Sequence, residues 1–143
     1  WLVAYVELAI GTTMRRSEML SARWMDFDAQ AQILRLRDTK NGKDRDVPLT
    51  LRCVEIIEAL PRSGPRLFEL ERDSVTRAFS RILDRLGIED LRLHDLRHEG
   101  ASRYADRGDL TIVDLASITG HVCYQSLKRY THPDASKLAK RLG

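Results

Sequence analysis

The chain has 143 residues, of which 43% are hydrophobic and 31% are charged. That length is enough for one compact hydrophobic core and too short for two ordinary domains, so we expect a single domain over residues 1–143. No apolar stretch is long enough to cross a membrane as a helix. The formal net charge of +3 is too small to indicate nucleic-acid binding, although the whole excess lies between Leu91 and Gly143.

The cysteines and the first residues bear on where the protein works. Cys53 and Cys123 are far apart in the sequence, and no signal peptide opens the chain. We therefore expect reduced thiols in a cytoplasmic protein. Because the chain also lacks an initiator methionine, we expect it to be an excised part of a longer protein.

Two helices are predicted at the start of the chain. The apolar segment Trp1–Ile10 is typical of a buried helix that begins without a cap. Ser17–Trp24 is predicted to form a short helix with Met19 and Leu20 facing inward.

A β-hairpin is predicted after these helices, where the hydrophobic period changes. Two short strands, over 33–36 and 45–49, flank a polar turn over 38–43. The Asn-Gly pair inside this turn can supply the positive φ angles of a tight hairpin. Residues 26–28 are a candidate third strand.

Two amphipathic helices are predicted next. The first is capped by Thr50 and ended by Pro61. The second is capped by Asp73 or Ser74 and ended by Gly87. The predicted inward residues are Leu51, Val54, Ile57 and Leu60 in the first helix, and Val75, Phe79, Ile82, Leu83 and Leu86 in the second.

Four more helical segments complete the chain. A helix is predicted from His94 to about Ala105, and a capping box at Thr111 opens another that runs to Gly120. Tyr124–Tyr130 is predicted to be helical, and Asp134 caps a last short helix. The predicted fold class is mainly α with a small antiparallel β-sheet.

Five short motifs carry the side chains that phosphodiester chemistry requires. Cutting a DNA strand by transesterification needs a nucleophile, donors for the charge on the phosphorane oxygens, and a proton for the leaving oxygen. The motifs are Arg15-Arg16-Ser17-Glu18, Thr39-Lys40-Asn41-Gly42, His94-Asp-Leu-Arg97-His98, Gly120-His121 and Arg129-Tyr130-Thr131-His132. In this order they resemble the catalytic signature of the tyrosine recombinase (phage integrase) family, and the resemblance covers nearly the whole chain.

The resemblance implies that three residues hold the scissile phosphate. Arg15 and Arg97 match the family's two arginines, whose planar guanidinium groups suit non-bridging phosphate oxygens. His121 matches the histidine of the Gly-His motif and would donate to a phosphate oxygen. The spacing of His94 and Arg97, three residues apart on a helix, places both on one face.

The same resemblance implies the residues that move protons. Tyr130 matches the nucleophile, and a phenol is mostly protonated at neutral pH. His94 matches the proposed general base near it, since an imidazole titrates near neutrality. Lys40, in the hairpin turn, matches the lysine that protonates the leaving 5′ oxygen.

The implied protein is the catalytic domain of a site-specific DNA recombinase or integrase of a phage or mobile element, acting on DNA in the bacterial cytoplasm. Tyr130 would form a 3′-phosphotyrosyl link, with no cofactor, metal or ATP required. The implied partners are double-stranded DNA and other recombinase protomers, as a tetramer on paired sites and weakly associated or monomeric without DNA. We expect the chain to be truncated at its N-terminus and to lack the separate N-terminal DNA-binding domain usual in the family. We expect further DNA contacts from Lys43, Arg92, Lys128 and Arg129.

Other interpretations of these residues stay open. A type IB topoisomerase-like relaxing activity would use the same chemistry without strand exchange, and a DNA-binding module would grip phosphate without cutting. His94 and His98, four residues apart, also have the spacing of metal ligands, with His121, His132 or Cys123 completing the site. Arg97 and Arg129 would place positive charge around such a cation. His98 and His132 resemble neighbours of the catalytic residues that are typical of the family, and we expect structural or secondary roles for both.

Two further expectations concern the helices. Residues 99–101 differ from the Thr-Phe often found in the family, and Gly100 is expected to weaken its helix modestly. The last helix carries Ala135, Leu138 and Leu142 at helical spacing. It is predicted either to dock on a neighbouring protomer or to pack on its own domain.

Overall fold

The computed structural model describes residues 1–37 and 42–143. Lys40 and the rest of the predicted hairpin tip therefore lie outside the described residues. The described helices are α1 (Leu2–Thr12), α2 (Arg16–Ser21), α3 (Leu51–Glu58), α4 (Arg72–Leu86), α5 (Asp95–Asp106), α6 (Ile112–Thr119) and α7 (Ala135–Leu142). The strands are β1 (Phe27–Asp28), β2 (Ile33–Leu36) and β3 (Arg45–Pro48), and 3-10 helices cover Trp24–Asp26 and Tyr124–Tyr130. The predicted fold class is confirmed.

The three strands form one antiparallel sheet in the order β1-β2-β3. Leu34 pairs with Phe27 on one side and with Val47 on the other. Leu34, Leu36 and Val47 are buried, because alternate side chains of a strand point to the same face. The sheet thus has one face on the core, and the predicted third strand is confirmed at β1.

The main hydrophobic core joins α1 to α4 with the sheet. Met19 and Leu20 are buried as predicted. Thr50 caps α3 as predicted, accepting a hydrogen bond from the Cys53 backbone at 3.2 Å. A smaller cluster, formed by Ala101, Leu115, Leu127 and Tyr130, joins α5, α6 and the second 3-10 helix.

The predicted inward face of α3 is partly wrong. Leu51 is 69% exposed, whereas Cys53 and Ile56 are buried. Leu51 lies six residues before the fully buried Ile57, which at about 100° per residue places it about 120° around the helix. The apolar spacing alone did not fix which face turns inward.

The prediction for α4 also needs correction. The helix begins at Arg72 without a side-chain cap, so neither Asp73 nor Ser74 is its cap. Ile82 and Leu86 are exposed, because burial follows the i, i+4 row of Val75, Phe79 and Leu83. Gly87 ends α4 with a φ of 64°, as predicted.

Gly100 allows α5 to lie close against α1. A Cβ atom on Gly100 would sit 2.1 Å from the Ile10 carbonyl oxygen and 2.8 Å from the Thr13 methyl carbon. The predicted weakening of α5 by Gly100 therefore leaves out a packing role that only a residue without a side chain can fill.

The last two helices begin as predicted. Thr111 and Asp114 form a capping box at the start of α6, with backbone-to-side-chain distances of 2.8 and 3.1 Å. Asp134 caps α7 by accepting a hydrogen bond from the Ser136 backbone at 2.9 Å. None of the residues of α7 is buried.

Two further findings concern the cysteines and the possibility of a membrane-spanning helix. Cys53 and Cys123 are both free cysteines, the first buried and the second exposed. Among the described residues, no helix has the length and apolar character needed to span a membrane.

Candidate active site

The candidate site lies where the α1–α2 turn, the first turns of α5, the end of α6 and the second 3-10 helix meet. Five of the six predicted catalytic residues belong to these segments: Arg15, His94, Arg97, His121 and Tyr130. Lys40, the sixth, lies outside the described residues, in the connection between β2 and β3.

Arg97 is a buried cation with an unused donor. Its side chain is on α5 and only 4% exposed. Nη1 donates a hydrogen bond to the Thr13 carbonyl, while Nη2 has no hydrogen-bond partner among the described residues. Burial and the charges of Arg15 and Arg45 lower the pKa of Arg97 to about 10, against the opposite effect of Glu18. Arg97 is still a cation at neutral pH, and its free donor suits an anion.

The turn that receives Arg97 has an unusual backbone. Thr13 has a φ of 55°, a left-handed conformation that β-branched residues rarely adopt. Its side chain is fully buried, and Thr13 Oγ1 donates to the Ile118 carbonyl at 3.2 Å. The turn is therefore bonded to both α5 and α6, which fixes the carbonyl to which Arg97 donates.

Glu18 is a buried carboxylate that fixes Arg15. It is 6% exposed and accepts hydrogen bonds from Arg15 through the backbone nitrogen at 2.7 Å and through Nη1 at 3.2 Å. Arg45 Nη2 donates to the same carboxylate at 3.1 Å. Although burial favours the neutral acid, the hydrogen bonds from Arg45 and Arg15 hold the pKa of Glu18 below its usual value. The site therefore contains a negative charge that orients two arginines.

Arg45 connects the sheet to the end of α6. Besides Glu18, its Nη1 atom donates to the Ile118 carbonyl at 3.1 Å. Gly120 ends α6 with a φ of 70°. It lies against the Arg45 side chain, and a Cβ atom on Gly120 would be 2.7 Å from Arg45 Nε. Arg45 was not predicted as a site residue, because in the sequence it has the position of an ordinary charged residue in a strand.

His121 follows directly after this glycine and is half-buried. Its Nδ1 atom lies 2.6 Å from Thr119 Oγ1. Burial, followed by the charges of Arg97 and Arg15, lowers the pKa of His121 to about 4. His121 is therefore neutral at physiological pH in the structure described.

Tyr130 is buried in the smaller hydrophobic cluster, with its hydroxyl facing α5. The hydroxyl forms a hydrogen bond with His98 Nδ1. His94, the predicted general base, is exposed, and its ring meets that of His98 edge-on at a centroid distance of 4.7 Å. Burial and the charge of Arg129 lower the pKa of His98. The structure thus brings His98, rather than His94, into contact with the predicted nucleophile.

A groove of about 930 Å³ opens beside the two predicted phosphate-binding arginines. Six arginines line it: Arg15, Arg16, Arg37, Arg72, Arg92 and Arg97. Arg92 was predicted as a DNA contact, whereas Arg37 and Arg72 were not recognised in the sequence. Lys43 lines a second groove with His121. Lys128 and Arg129 are exposed on the 3-10 helix that carries Tyr130.

The alternative metal site is not assembled in the part of the chain that the structure describes. Within residues 1–37 and 42–143, no three His, Cys, Asp or Glu side chains lie close enough to share a metal ion. His98 Nδ1 instead contacts the Tyr130 hydroxyl.

Sequence relatives of the chain are recombinases. The model of the phage integrase family matches residues 1–137. The shufflon-specific DNA recombinase of Escherichia coli is 39% identical over 99% of this chain, and tyrosine recombinase XerA of Saccharolobus solfataricus is 32% identical over 89%. The matched regions make up 38% and 44% of those proteins, so the chain spans about two fifths of the length of these relatives.

Solved structures share the fold. The catalytic domain of bacteriophage HP1 integrase superposes with a TM-score of 0.74 at 27% identity, covering 97% of this chain and 79% of that one. XerH recombinase bound to its difH substrate gives a TM-score of 0.77 at 21% identity, covering 99% of this chain and 45% of that one, and so shows the fold alone. With the family model matching all but the last six residues, the chain belongs to the phage integrase family of tyrosine recombinases.

Proposed function

We propose that the chain is the catalytic domain of a site-specific DNA recombinase or integrase. Tyr130 attacks the scissile phosphate to give a 3′-phosphotyrosyl link and a free 5′ hydroxyl, and attack by a partner strand's hydroxyl reverses the step. The observation that carries the proposal is the hydrogen bond between Tyr130 and His98 beside Arg97, whose buried Nη2 atom lacks a partner among the described residues. The family and its recombinase relatives support the same reaction.

The phosphate is held by Arg15 and Arg97 in this proposal. Glu18 holds Arg15 by two hydrogen bonds, and the Thr13 carbonyl holds Arg97 by one. Both guanidinium groups therefore keep N–H groups for the phosphorane oxygens, where negative charge grows in the transition state. Lys40 supplies the proton for the leaving 5′ oxygen, from the connection between β2 and β3.

A histidine of the α5 segment accepts the proton of Tyr130. The resemblance assigns this role to His94, and the hydrogen bond with Tyr130 supports His98. Because His94 touches His98 rather than the phenol, we propose that His98 is the first acceptor and that His94 acts through it. The lowered pKa of His98 keeps its ring neutral, as a base must be, at physiological pH.

The proposed partners are double-stranded DNA and other copies of the recombinase. The arginine-lined groove contacts the DNA backbone, together with Lys43, Lys128 and Arg129. Four protomers assemble on two paired sites in the bacterial cytoplasm. The exposed helix α7 docks on a neighbouring protomer. None of its residues is buried, which supports docking over packing on its own domain.

A covalent trapping experiment tests the proposal. Duplexes taken from the DNA that flanks the coding sequence are nicked a few nucleotides from each candidate phosphate, so that cleavage releases a short fragment and traps the protein. We expect a protein–DNA adduct on denaturing gels for one duplex of the panel, the substrate duplex, and none with Tyr130→Phe. Binding without any adduct would instead favour a non-catalytic DNA-binding module. Relaxation of any supercoiled plasmid without exchange would favour a topoisomerase-like activity.

A further inference from the structure

The hydroxyl of Thr119, the last residue of α6, lies between two polar atoms. Thr119 Oγ1 is 2.7 Å from the Leu115 carbonyl oxygen, one helical turn earlier, and 2.6 Å from His121 Nδ1. Thr119 is 0% exposed, so water does not compete for these bonds. The hydroxyl thus links the body of α6 to the histidine of the Gly-His motif.

Counting protons settles the direction of both hydrogen bonds. A hydroxyl has one proton to donate, and a carbonyl oxygen can only accept. Thr119 therefore donates to Leu115, and its oxygen accepts a hydrogen bond from the Nδ1–H group of His121. The opposite arrangement, with Thr119 donating to Nδ1, would leave two oxygens 2.7 Å apart with no proton between them.

We infer that Thr119 is a positioning residue that holds neutral His121 as its Nδ1–H tautomer, so that His121 donates to a phosphate oxygen only after Nε2 takes up a proton. The Nε2 atom of the neutral ring carries a lone pair, which would repel an anionic oxygen. The inference rests on the proposed function for its phosphate, whereas the tautomer follows from the geometry alone.

The charges around His121 explain why the proton arrives with the phosphate. Arg97 and His98 face it from α5, Arg15 from the start of α2 and Arg45 from β3. Lys43, Asp44 and Tyr124 line the groove beside it. The three arginines and His98 lower the pKa of His121 and so oppose a further positive charge when the site is empty of anions. A phosphate held by Arg15 and Arg97 offsets them and offers Nε2–H an acceptor.

The pH dependence follows from this linkage. The pKa of His121 is about 4 in the structure described, and a bound anion raises it. Anion binding at a pH between the two values therefore takes up one proton, and the affinity for an anion rises as the pH falls through that interval.

Nitrogen-15 NMR of the histidine rings in the full chain tests the inference directly, with sodium sulfate as the probe. Sulfate is tetrahedral and does not itself titrate in this range. Without sulfate, we expect the neutral His121 ring to carry its proton on Nδ1 and none on Nε2. When sulfate is added at a pH between the pKa values of the free and the sulfate-bound protein, we expect both nitrogens to be protonated. A Nε2–H tautomer without sulfate, or no protonation at the highest sulfate concentration, would overturn it.

Two variants separate the hydroxyl from the shape of Thr119. Thr119→Val keeps the shape and removes the hydroxyl, and we expect His121 to lose its Nδ1–H tautomer. Thr119→Ser keeps the hydroxyl and should keep the tautomer. Equal tautomers in the Val and Ser variants would contradict the inference, and the wild-type spectrum decides it even if the Val variant does not fold.

The substrate duplex provides the functional measurement. At low pH, Thr119→Val should form the adduct up to about a hundredfold more slowly than Thr119→Ser, because a ring that no longer donates through Nδ1 is a misdirected oxyanion donor. The difference should shrink as the pH rises, because the neutral ring of Thr119→Val can carry its proton on Nε2 and donate without taking one up. A general structural defect would slow Thr119→Val equally at every pH. If wild type forms no adduct at all, the proposed function fails, while the tautomer measurement still stands or falls separately.

Discussion

Glu18 places a buried negative charge among Arg15, Arg45 and Arg97. A buried carboxylate that loses its partners is strongly destabilising, whereas the intact pair contributes little net stability. The value of the pair is therefore geometric. It fixes the Arg15 backbone and side chain together and links both to β3.

Replacing Arg45 tests this view of the buried pair. Arg45→Met should lower the free energy of unfolding by roughly 1.5–3 kcal/mol, because the buried Glu18 carboxylate loses one charged hydrogen-bond partner and keeps Arg15. The measurement is urea denaturation followed by circular dichroism. Arg52→Met is the matched control, since the pairs of Arg52 with Glu7 and Glu55 are exposed and its loss of stability should be much the smaller of the two. Equal losses of unfolding free energy in the two variants would show that the buried Glu18–Arg45 pair matters no more to stability than an exposed pair.

The two histidines near Tyr130 make separable predictions. On a substrate duplex whose leaving 5′ oxygen is replaced by sulfur, departure needs no acid, so proton removal from Tyr130 limits the rate. His98→Gln should then lose about a hundredfold to ten-thousandfold in the rate of adduct formation, and His94→Gln should lose less. The reverse order would return the base to His94.

The lowered pKa of His98 fixes the shape of the pH profile. Burial and Arg129 favour the neutral ring, so the base is available at pH values where an exposed histidine is already protonated. The wild-type rate on the sulfur substrate should stay level there and fall as the pH drops below the lowered pKa. His98→Gln should lack that acid limb.

The sulfur substrate also tests the proposed role of Lys40, which lies outside the described residues. General acid catalysis contributes about a hundredfold to ten-thousandfold, which Lys40→Ala should lose on ordinary DNA and recover on the sulfur substrate. Arg15→Ala and Arg97→Ala should stay slow on both substrates, because their role is to hold the phosphate. If sulfur does not rescue Lys40→Ala, the proton comes from another group.

The motifs in the sequence predicted five residues that the structure brings to one place, yet the residues that position them were missed. Arg45 contacts partners 27 and 73 positions away, and a local pattern carries no information on such contacts. Thr119 is close to His121 in sequence, but its role depends on which atoms its hydroxyl touches. His98 was assigned a secondary role because its neighbour His94 fits the motif.

At the scale of the helices and strands, local signals predicted most helix ends, although neither predicted cap of α4 was correct, and they were weaker on helix faces. The caps at Thr50, Thr111 and Asp134 and the stop at Gly87 were predicted, since each depends on a few adjacent residues. The inward face of α3 was partly wrong, because the rotation of a helix is set by its neighbours. The packing role of Gly100 against α1 was missed for the same reason.

For the Gly100→Ala variant, helix propensity and packing predict changes of opposite sign in the free energy of unfolding. Helix propensity predicts that Gly100→Ala stabilises by about 1 kcal/mol. The Cβ position 2.1 Å from the Ile10 carbonyl oxygen predicts destabilisation, because α5 must move away from α1. The free energy of unfolding decides between them.

At the scale of the whole molecule, the arginine-lined groove and helix α7 divide the proposed work between DNA and protein partners. The groove contains the phosphate-binding residues, whereas α7 buries none of its residues against the domain, and its Leu138 and Leu142 are exposed. Leu138 and Leu142 lie four residues apart, on one face of α7, where one partner surface can cover both. A neighbouring protomer on DNA is the partner that the proposed assembly supplies.

Deleting residues 134–143 separates the two activities. Because α7 contributes no buried residue, the shortened chain should keep its free energy of unfolding within about 1 kcal/mol and still form the adduct on a single substrate duplex. It should fail to bring two such duplexes together, measured as slower-migrating complexes on native gels. Leu138→Ser with Leu142→Ser should reproduce this defect if the apolar face makes the contact. Parallel loss of adduct formation and pairing would instead show that α7 serves its own domain, since a helix needed only between protomers cannot limit chemistry that one protomer completes alone.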